Sequence, residues 1–433
     1  MRFTVVMILL VILLRSVETL AAQEPTPFVA GNSSSLHPSL SADGRYVAFT
    51  SDASNLVSDD LNETTDVFVR DRQAGVTLRV SVASDRTEGN DASRLGVISG
   101  DGRWVVFESS ASTLVPDSAS GWSQIYLHEM ETGQTALIST SIRGGAGNLA
   151  SLEPDVSDDG RIIVFWSNAD DLVDGDVNQA RDVFAFDRQT GTMRLVSATS
   201  DGTAGNGDSR RAVVSGDGRY VAFWSAATNL VANDGNDLED IFVHDLQTGE
   251  TARVNVSLDG SDADGYTFDS MDISGDGRFV AFWSQASNLV DQPSNGLNNV
   301  YVYDRQNRSM MLATPGSCQD MCFGSGDPAL SADGRTVVFD SDVDGLVGGD
   351  NNRTSDVFLR DLASEAMTRL SVNADFAELD TLSLSPAISA DGRFVAFETS
   401  AAILALDFNF TTDIYLVDRE TGVIDIVSVA NEA

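Results

Sequence analysis

The chain repeats one short pattern, Ser-x-Asp-Gly-Arg-x-[Val/Ile]-x-Phe, seven times. Its Asp-Gly-Arg cores begin at Asp43, Asp101, Asp159, Asp217, Asp276, Asp333 and Asp391. Successive cores lie 58, 58, 58, 59, 57 and 58 residues apart. A period this regular indicates a repeat architecture, in which each repeat is one structural unit that packs against its neighbours.

Each repeat has the pattern of four short strands, which we name a, b, c and d. In the fourth repeat they are Arg211–Ser215, Tyr220–Ser225, Asp240–His244 and Thr251–Val256. The Asp-Gly pair between a and b favours a tight turn, because Gly adopts a positive φ without steric cost. Alternation of residue type in strand b is typical of a strand packed on two faces.

We therefore predict an all-β fold, a seven-bladed β-propeller with four antiparallel strands per blade. The propeller covers 23–433, with blades at about 32–83, 84–141, 142–199, 200–257, 258–314, 315–373 and 374–430. The first repeat begins with strand a and the last ends with strand d, so we expect blade 1 to pack on blade 7 without strand exchange. Short a–b and c–d turns define a short-turn rim. The b–c and d–a loops define a long-loop rim, where binding sites are expected.

The charge of the chain limits its partners. It has 65 acidic and 27 basic residues, a formal net charge of −38, and no lysine. Such a surface repels nucleic acid and anionic membranes and favours cations or basic partners. Adaptation to salt or a need for solubility explains the same composition equally well. We expect a monomer that neither binds nucleic acid nor inserts into a membrane.

Residues 1–22 have the pattern of a secretory signal peptide. Met1-Arg2 gives a positive start, Phe3 to Leu14 is apolar but too short to span a bilayer, and Leu20-Ala21-Ala22 offers small residues for cleavage. We expect an exported protein, either periplasmic or extracellular. The two cysteines, Cys318 and Cys322, are then expected to form a disulfide that closes a small Gly-rich loop.

The repeat resembles a known family. Ser-x-Asp-Gly-x-x-[Val/Ile]-x-Phe followed by Asp-[Val/Ile]-[Phe/Tyr]-x-x-Asp is similar to the WD40-like (PD40) repeat of TolB-type propellers, over residues 32–433. The resemblance implies a β-propeller. TolB has six blades and an N-terminal α/β domain. This chain has seven repeats, and we expect it to lack that domain. The family usually has Pro after the Ser, where this chain has Ala42, Gly100, Asp158, Gly216, Gly275, Ala332 and Ala390.

The b–c loops carry the pattern Asp-x-Asn-x-x-x-Asp in five repeats. Its residues are Asp60, Asn62 and Asp66; Asp176, Asn178 and Asp182; Asp234, Asn236 and Asp240; Asp350, Asn352 and Asp356; and Asp407, Asn409 and Asp413. Blade 2 has Ser118, Ser120 and Gln124 instead, and blade 5 keeps Asn295 and Asn299. Oxygen ligands at alternate positions resemble the start of a Ca²⁺ loop, so Ca²⁺ is a candidate cofactor. The alternative is that these side chains form Asx-turns that tie the loop to strand c.

Some positions differ between repeats, and these are candidates for a specific site. At the start of strand a, at the channel mouth, the residues are His37, Leu95, Glu153, Arg211, Ser270, Asp327 and Ser385. One position earlier they are Leu36, Arg94, Leu152, Arg210, Asp269, Gly326 and Leu384. After the Phe of strand b they are Thr50, Glu108, Trp166, Trp224, Trp283, Asp340 and Glu398.

Two classes of function fit these positions. The first is a non-enzymatic scaffold that binds a protein or carbohydrate on the long-loop rim, with Trp166, Trp224, Trp283, Glu153 and Asp327 as candidate binding residues. The Trp residues either stack on sugars or pack between blades, and the charges either bind a ligand or pair with one another. The alternative is a polysaccharide lyase-like enzyme with His37, Arg94, Arg210 and Arg211 at the channel mouth. No Gly-x-Ser-x-Gly or His-Glu-x-x-His motif is present.

Overall fold

The computed structural model describes residues 28–116, 121–291, 296–316, 322–373, 375–404 and 407–431. These ranges contain 28 strands in seven antiparallel sheets, and each sheet is built from four consecutive strands. The seven-bladed β-propeller is therefore confirmed. In the described part of the chain no helix is long and apolar enough to cross a membrane. The signal-peptide segment and Cys318 lie outside the described residues, and Cys322 is disulfide-bonded.

The strands occupy equivalent places in every blade, and the a strands of neighbouring blades contact one another around the central channel. Strands a are β1 (Ser35–Leu40), β5 (Ser93–Ile98), β9 (Ser151–Val156), β13 (Ser209–Val214), β17 (Thr267–Ile273), β21 (Ser325–Leu330) and β25 (Ser383–Ile388). Strands b are β2 (Tyr46–Ser51), β6 (Trp104–Ser109), β10 (Ile162–Ser167), β14 (Tyr220–Ser225), β18 (Phe279–Ser284), β22 (Thr336–Ser341) and β26 (Phe394–Thr399). Strands c are β3 (Asp66–Asp71), β7 (Gln124–Glu129), β11 (Asp182–Asp187), β15 (Asp240–Asp245), β19 (Asn299–Asp304), β23 (Asp356–Asp361) and β27 (Asp413–Asp418). Strands d are β4 (Val76–Arg79), β8 (Thr135–Leu137), β12 (Thr192–Leu195), β16 (Thr251–Arg253), β20 (Ser309–Leu312), β24 (Met367–Arg369) and β28 (Val423–Ile426).

Strands b and c form the buried part of each blade. The Phe of the repeated pattern faces an aromatic residue of strand c, and in six blades the ring centroids lie 5.8 to 6.0 Å apart. Apolar clusters fill the space between neighbouring blades, for example where Val183 of blade 3 packs with Val221 and Phe223 of blade 4. The core is therefore distributed between the blades, and burial of these side chains depends on the complete ring.

The ring closes without an exchanged strand, as expected from the order of the repeats. Phe49 of blade 1 packs with Leu416 of blade 7. Ala30 and Val429 form a single antiparallel bridge. In five other places the same kind of bridge connects the end of a strand d to the following d–a loop. The two ends of the described chain are therefore joined by the same kind of backbone bridge that occurs in five d–a loops, although here no loop connects the two segments.

The Asp-Gly-Arg corner is stabilised by its own side chains and by the neighbouring blade. In blade 3 Ser157 Oγ donates to Asp159 at 2.9 Å, and the N–H of Arg161 donates to the same carboxylate at 2.9 Å. Gly160 has a φ of 67°, and a Cβ at this position would lie 2.0 Å from Trp104 of blade 2. Glycine is required here for the backbone conformation and for the contact between blades.

The Arg of the corner binds the carboxylate that ends strand c of the same blade. Five blades form this pair with two hydrogen-bonding nitrogens: Arg45–Asp71, Arg161–Asp187, Arg219–Asp245, Arg278–Asp304 and Arg393–Asp418. The hydrogen bond from Arg161 lowers the pKa of Asp187 to about 2. Each of these pairs stabilises one hairpin, and the same pair recurs in five of the seven blades, so we assign the pairs a structural role.

Seven backbone hydrogen bonds connect the a–b turns into a closed ring at the short-turn rim. Each N–H donates to a carbonyl of the next blade: Ala42 to Gly100, Asp101 to Asp158, Asp158 to Gly216, Asp217 to Gly275, Gly275 to Ala332, Ala332 to Ala390, and Ala390 to Ala42. Five of these donors occupy the position after the Ser, where the TolB-type pattern has Pro. Because Pro has no N–H, the departure from that pattern is what permits these bonds.

Candidate functional site at the channel mouth and the long-loop rim

The positions that differ between repeats come together where strand a begins. In six blades this residue has a left-handed backbone within a β-bulge: His37, Leu95, Glu153, Arg211, Asp327 and Ser385, with φ between 41° and 55°. Such a φ is uncommon for residues other than Gly. Bulges redirect side chains and occur next to binding sites. The first four of these residues line a cavity of about 210 Å³ in the channel.

The third variable position supports this bulge from the preceding blade. Glu108 of blade 2 accepts the backbone N–H of Glu153 at 2.9 Å. Glu398 of blade 7 accepts the N–H of His37 at 3.2 Å, and Thr50 Oγ1 accepts that of Leu95 at 3.0 Å. The start of strand a and the position after the Phe of strand b, two of the three positions that differ between repeats, are therefore joined across the boundary between blades. Burial raises the pKa of Glu108.

The arginines of blade 4 are paired with carboxylates. Arg211 Nε lies 3.3 Å from Glu153 Oε2, and Arg210 lies 3.3 Å from Asp269. Glu153 also accepts a hydrogen bond from Trp166 Nε1 at 2.7 Å. The charges in this sector of the mouth therefore compensate one another. A polyanionic ligand would have to compete with these carboxylates for the same guanidinium groups.

His37 and Arg211 line the same cavity, together with Glu153 and Asp269. Arg94 is paired in register with Glu108, and its charge acts on that carboxylate. The two other histidines of the chain, by contrast, are buried in strand c, and His128 Nδ1 lies 2.9 Å from the hydroxyl oxygen of a neighbouring Thr. Of the candidate catalytic residues, one histidine and one arginine therefore share a cavity.

The three tryptophans pack between blades. Trp166 and Trp224 are buried within the apolar clusters that join blade 3 to blade 4 and blade 4 to blade 5. Trp283 is half-buried, and its ring stacks on Phe268 with centroids 4.0 Å apart. Arg210 lies over the Trp224 ring at 4.4 Å. Little of the Trp166 and Trp224 surface is accessible to a sugar.

Phe268 was not predicted from the sequence, although the irregular spacing of the repeats indicates an insertion near it. Strand a of blade 5 has seven residues where the other six a strands have six. Thr267 pairs with Ser284 across 17 positions, whereas the equivalent pair in blade 4 spans 16. The insertion in strand a of blade 5 accounts for the step of 59. The following step of 57 reflects a separate shortening by one residue between strand c of blade 5 and strand a of blade 6. The insertion brings an additional aromatic ring to the channel mouth.

Blade 6 presents two neighbouring carboxylates at the mouth. Burial, followed by the charge of Asp327, raises the pKa of Asp340 to about 7. Ser355 donates to Asp340 Oδ2 at 2.9 Å. The mouth as a whole combines three arginines, Arg94, Arg210 and Arg211, with six acids, Glu108, Glu153, Asp269, Asp327, Asp340 and Glu398. Its net charge is negative, like that of the whole chain.

The Asn of the b–c loops has the geometry of an Asx-turn. In blade 3 the Asn178 amide donates to Asp182 at 2.7 Å and to the Gly205 carbonyl at 2.9 Å, and its oxygen accepts the N–H of Ala180. Blades 1, 6 and 7 repeat the donation from Asn to the strand-c Asp, at 2.6 to 3.0 Å. The amide nitrogen therefore faces the carboxylate, so Asn ties the loop to strand c. Ser118, Ser120 and Asn295 lie outside the described residues.

In blades 1, 4 and 6 an arginine of strand d lies between the loop carboxylates. Arg253 Nη1 lies 3.2 Å from Asp234 and 2.9 Å from Asp240, and its Nη2 binds Asp262 of the d–a loop. The equivalent arginines contact Asp60, Asp66 and Glu88 in blade 1, and Asp350, Asp356 and Glu378 in blade 6. The blade 1 acids are close enough to hold a metal ion. A guanidinium already lies among them.

Large apolar side chains are exposed along the long-loop rim. Those on b–c loops are Leu61, Trp122, Val177, Phe408 and Phe410, and those on d–a loops are Ile142, Leu149, Leu258, Tyr266, Phe323, Phe376 and Leu382. Among the described residues only Val76, Leu78 and Val423 are similarly exposed in strands d, and Val29 precedes blade 1. The apolar exposure is thus concentrated on one face.

Comparisons with known proteins identify the fold. No family model matches the chain, and no curated protein matches it by sequence. The β-propeller domain of the Trilobed protease from Pyrococcus furiosus matches with a TM-score of 0.55 and 11% identity, over 93% of this chain and 99% of that one. The oligogalacturonate lyase of Vibrio parahaemolyticus matches at 0.52 and 14%, over 91% and 92%. TolB from Acinetobacter baumannii matches at 0.41 and 16%, over 83% and 67%. The two matches with a TM-score above 0.5 show a shared β-propeller fold, and the PD40 assignment of the repeat stays a prediction.

Proposed function

We propose that this chain is an exported, non-enzymatic β-propeller that binds a partner protein through its long-loop rim. The observation that carries the proposal is the concentration of exposed apolar side chains on that rim. Exposed apolar side chains gathered on one face of a soluble protein are typical of an interaction surface, and aromatic residues contribute strongly to the energy of such interfaces. The short-turn rim, with its closed ring of backbone bonds, is assigned to structure.

Two phenylalanines support this assignment of the rim. Phe376 is 74% exposed with a φ of 61°, and Phe410 is 90% exposed with a φ of 56°. In the d–a turns of blades 2, 3 and 4 the residue equivalent to Phe376 is Gly144, Gly202 or Gly260. A left-handed backbone costs a bulky residue roughly 1–3 kcal/mol, and neither ring is buried in return. Stability alone therefore does not account for a Phe at these positions.

The charge of the chain indicates the kind of partner. With a formal net charge of −38, the protein attracts a partner whose surface is basic around an apolar centre. Export is supported by the signal-peptide pattern of residues 1–22 and by the disulfide bond at Cys322, because disulfides persist in oxidising compartments. The partner is then an exported or surface-exposed protein.

A capture experiment tests the rim. Immobilised wild-type protein and the double variant Phe376→Gly/Phe410→Asp would be exposed to the exported proteins of the same organism, and any partner identified would be titrated. The double variant carries residue types that other blades have at these positions. We expect it to lose about tenfold or more in affinity, as hot-spot aromatic residues do.

The matched control is Val423→Ser, which removes an exposed apolar side chain from strand d of blade 7. It should bind the partner as the wild type does. Equal affinity of all three proteins for the partner would contradict the proposal, as would a partner that binds the control weakly and the double variant normally.

The second candidate function is an enzyme with its site in the channel. It is favoured by one observation, that His37 and Arg211 line a common cavity of about 210 Å³. A lyase needs a base and a cationic group near the acidic sugar. The excess of carboxylates at the mouth weakens this candidate. Incubation with uronate polysaccharides, followed by absorbance of unsaturated products, would test it: activity that is lost in His37→Ala would favour the enzyme, and no product would exclude it for these substrates.

A further inference from the structure

The presence of an arginine at the b–c loops follows a rule that spans three elements. In the five blades that have the Asp-x-Asn-x-x-x-Asp loop, an arginine of strand d that faces the loop is accompanied by a third acid in the d–a loop. An aliphatic residue at the same position of strand d is accompanied by alanine. The first kind are Arg79 with Glu88, Arg253 with Asp262, and Arg369 with Glu378. The second kind are Leu195 with Ala204 and Ile426 with Ala30, at the positions given by strand pairing and by the bridges.

The rule identifies the space between the loop carboxylates as a place for positive charge. In three blades a guanidinium is bound there, with N–O distances of 2.9 to 3.8 Å. In blade 3 the same two carboxylates remain, Asp176 and Asp182, but Leu195 and Ala204 supply neither the cation nor the third acid. The loop of blade 3 therefore keeps both carboxylates, but no arginine of the described residues lies between them.

The carboxylates of blade 3 are buried without a cation. Asp176 is 7% exposed and accepts a hydrogen bond from the backbone N–H of Asn178, and among the described residues no arginine or other side-chain donor contacts it. Asp170 adds a further negative charge to Asp176, as Asp208 does to Asp182. Two close, buried carboxylates are costly unless a cation compensates them.

Blade 7 also lacks the arginine, and a tyrosine hydroxyl bonds one of its loop carboxylates instead. The hydroxyl of Tyr415 donates to Asp407 Oδ2 at 2.5 Å. The residue at the equivalent position of blade 3 is Phe184, which has no donor. Asp407 of blade 7 therefore has a hydroxyl donor in place of a cation. Asp176 of blade 3 has neither among the described residues, whereas Asp182 accepts hydrogen bonds from Asn178 and Ser197.

The geometry points to a binding site for a hard divalent cation in blade 3, formed by Asp176 and Asp182 where other blades bind an arginine. Carboxylate oxygens suit Ca²⁺ and Mg²⁺, and Mg²⁺ in particular is bound through one or two carboxylates while it keeps several waters. Leu195 occupies the strand-d position whose arginine, in blades 1, 4 and 6, reaches the loop carboxylates. The sequence pattern made five loops candidates for Ca²⁺, and the proposed cation site lies in one of them.

Calorimetric titration of the chelator-treated full chain with Ca²⁺ and, separately, with Mg²⁺ tests the site. We expect one saturable site for at least one of the two cations, together with a rise in melting temperature, because a ligand that binds the folded state stabilises it. Asp176→Asn should weaken binding by about tenfold or more, in the range that disturbed metal sites show.

The most specific test supplies the missing internal cation. Leu195→Arg/Ala204→Glu gives blade 3 the arrangement of blades 1 and 6, so it should abolish cation binding while the chelated protein stays folded. Asp350→Asn, in a blade whose arginine is present, should leave the stoichiometry unchanged. Absence of binding to the wild type, or binding that persists in Leu195→Arg/Ala204→Glu, would overturn the inference. Neither result bears on partner capture by the long-loop rim.

Discussion

At the scale of single residues, the glycine of the corner turn connects one blade to the next. Gly160 has a left-handed backbone, and Trp104 of the preceding blade packs directly against its Cα. Gly191, in the c–d turn, has a similar φ of 68° but no heavy atom within 4 Å of the position of a Cβ. Substitutions at the two glycines therefore distinguish the free-energy cost of the left-handed backbone from the cost of disturbing the contact between blades.

We predict that Gly160→Ala destabilises the protein clearly more than Gly191→Ala. Both variants strain the backbone by roughly 1 kcal/mol. Gly160→Ala also displaces the Trp104 ring, which adds about 1–3 kcal/mol, as overpacking does. Denaturant unfolding of the two variants measures the difference, and equal losses would show that the inter-blade contact adds nothing.

A second residue-scale prediction concerns pH. Burial raises the pKa of Asp155, in strand a of blade 3, from 3.8 to about 7, with smaller contributions from Asp272 and Asp158. The folded state therefore holds this proton more tightly than the unfolded chain does. Its contribution to stability is complete below about pH 4 and is lost as the pH rises through 7.

Asp155→Asn removes this titration while keeping an oxygen that can accept the N–H of Val214, which donates to the Asp at 2.7 Å. We expect the melting temperature of the wild type, relative to this variant, to fall between pH 5 and pH 8. Melting curves of both proteins across that range measure the change. A constant difference between them would contradict the assignment.

At the scale of elements, the a–b turns act as one unit because their backbones are bonded in a ring. Ala332→Pro introduces the residue of the TolB-type pattern and removes the N–H that donates to Ala390 at 3.0 Å. We predict a loss of about 1 kcal/mol or more, the cost of leaving a carbonyl without its donor. Ala332→Ser keeps the N–H and serves as the control. Equal unfolding midpoints for the two variants would show that this bond contributes little.

The elements also show which features the sequence could predict. The strands and their number followed from a period and an alternation that are local in the chain. The β-bulge of strand a did not, because its left-handed residues include Glu153, Arg211 and Leu95, which have no local preference for that conformation. The pairing of Arg253 with Asp234 and Asp262 was also missed, because it depends on the register of strand d against strand c and on the bridge that positions the d–a loop.

At the scale of the whole molecule, stability depends on the junction of blades 1 and 7. The Asn431 side chain accepts the N–H of Thr77 at 2.8 Å and donates to the Thr77 carbonyl at 2.8 Å, so it extends the outer edge of blade 1. We predict that Asn431→Ala lowers the free energy of unfolding by about 1–2 kcal/mol. Thermal or denaturant unfolding measures this loss. A cooperative transition should remain, and no loss would mean that the packing and the backbone hydrogen bonds of this junction close the ring without the Asn431 side chain.

The bridge between Ala30 and Val429 has a consequence for chain connectivity. Because it has the form of the bridges inside other d–a loops, we expect the fold to tolerate chain ends at a different junction between blades. A circular permutant, with the present ends joined by a short linker and new ends opened at Gly202 in an exposed turn, should assemble the same propeller. In such a ring we expect the exposed turn at Gly202 to accommodate the chain ends as the junction of blades 1 and 7 does.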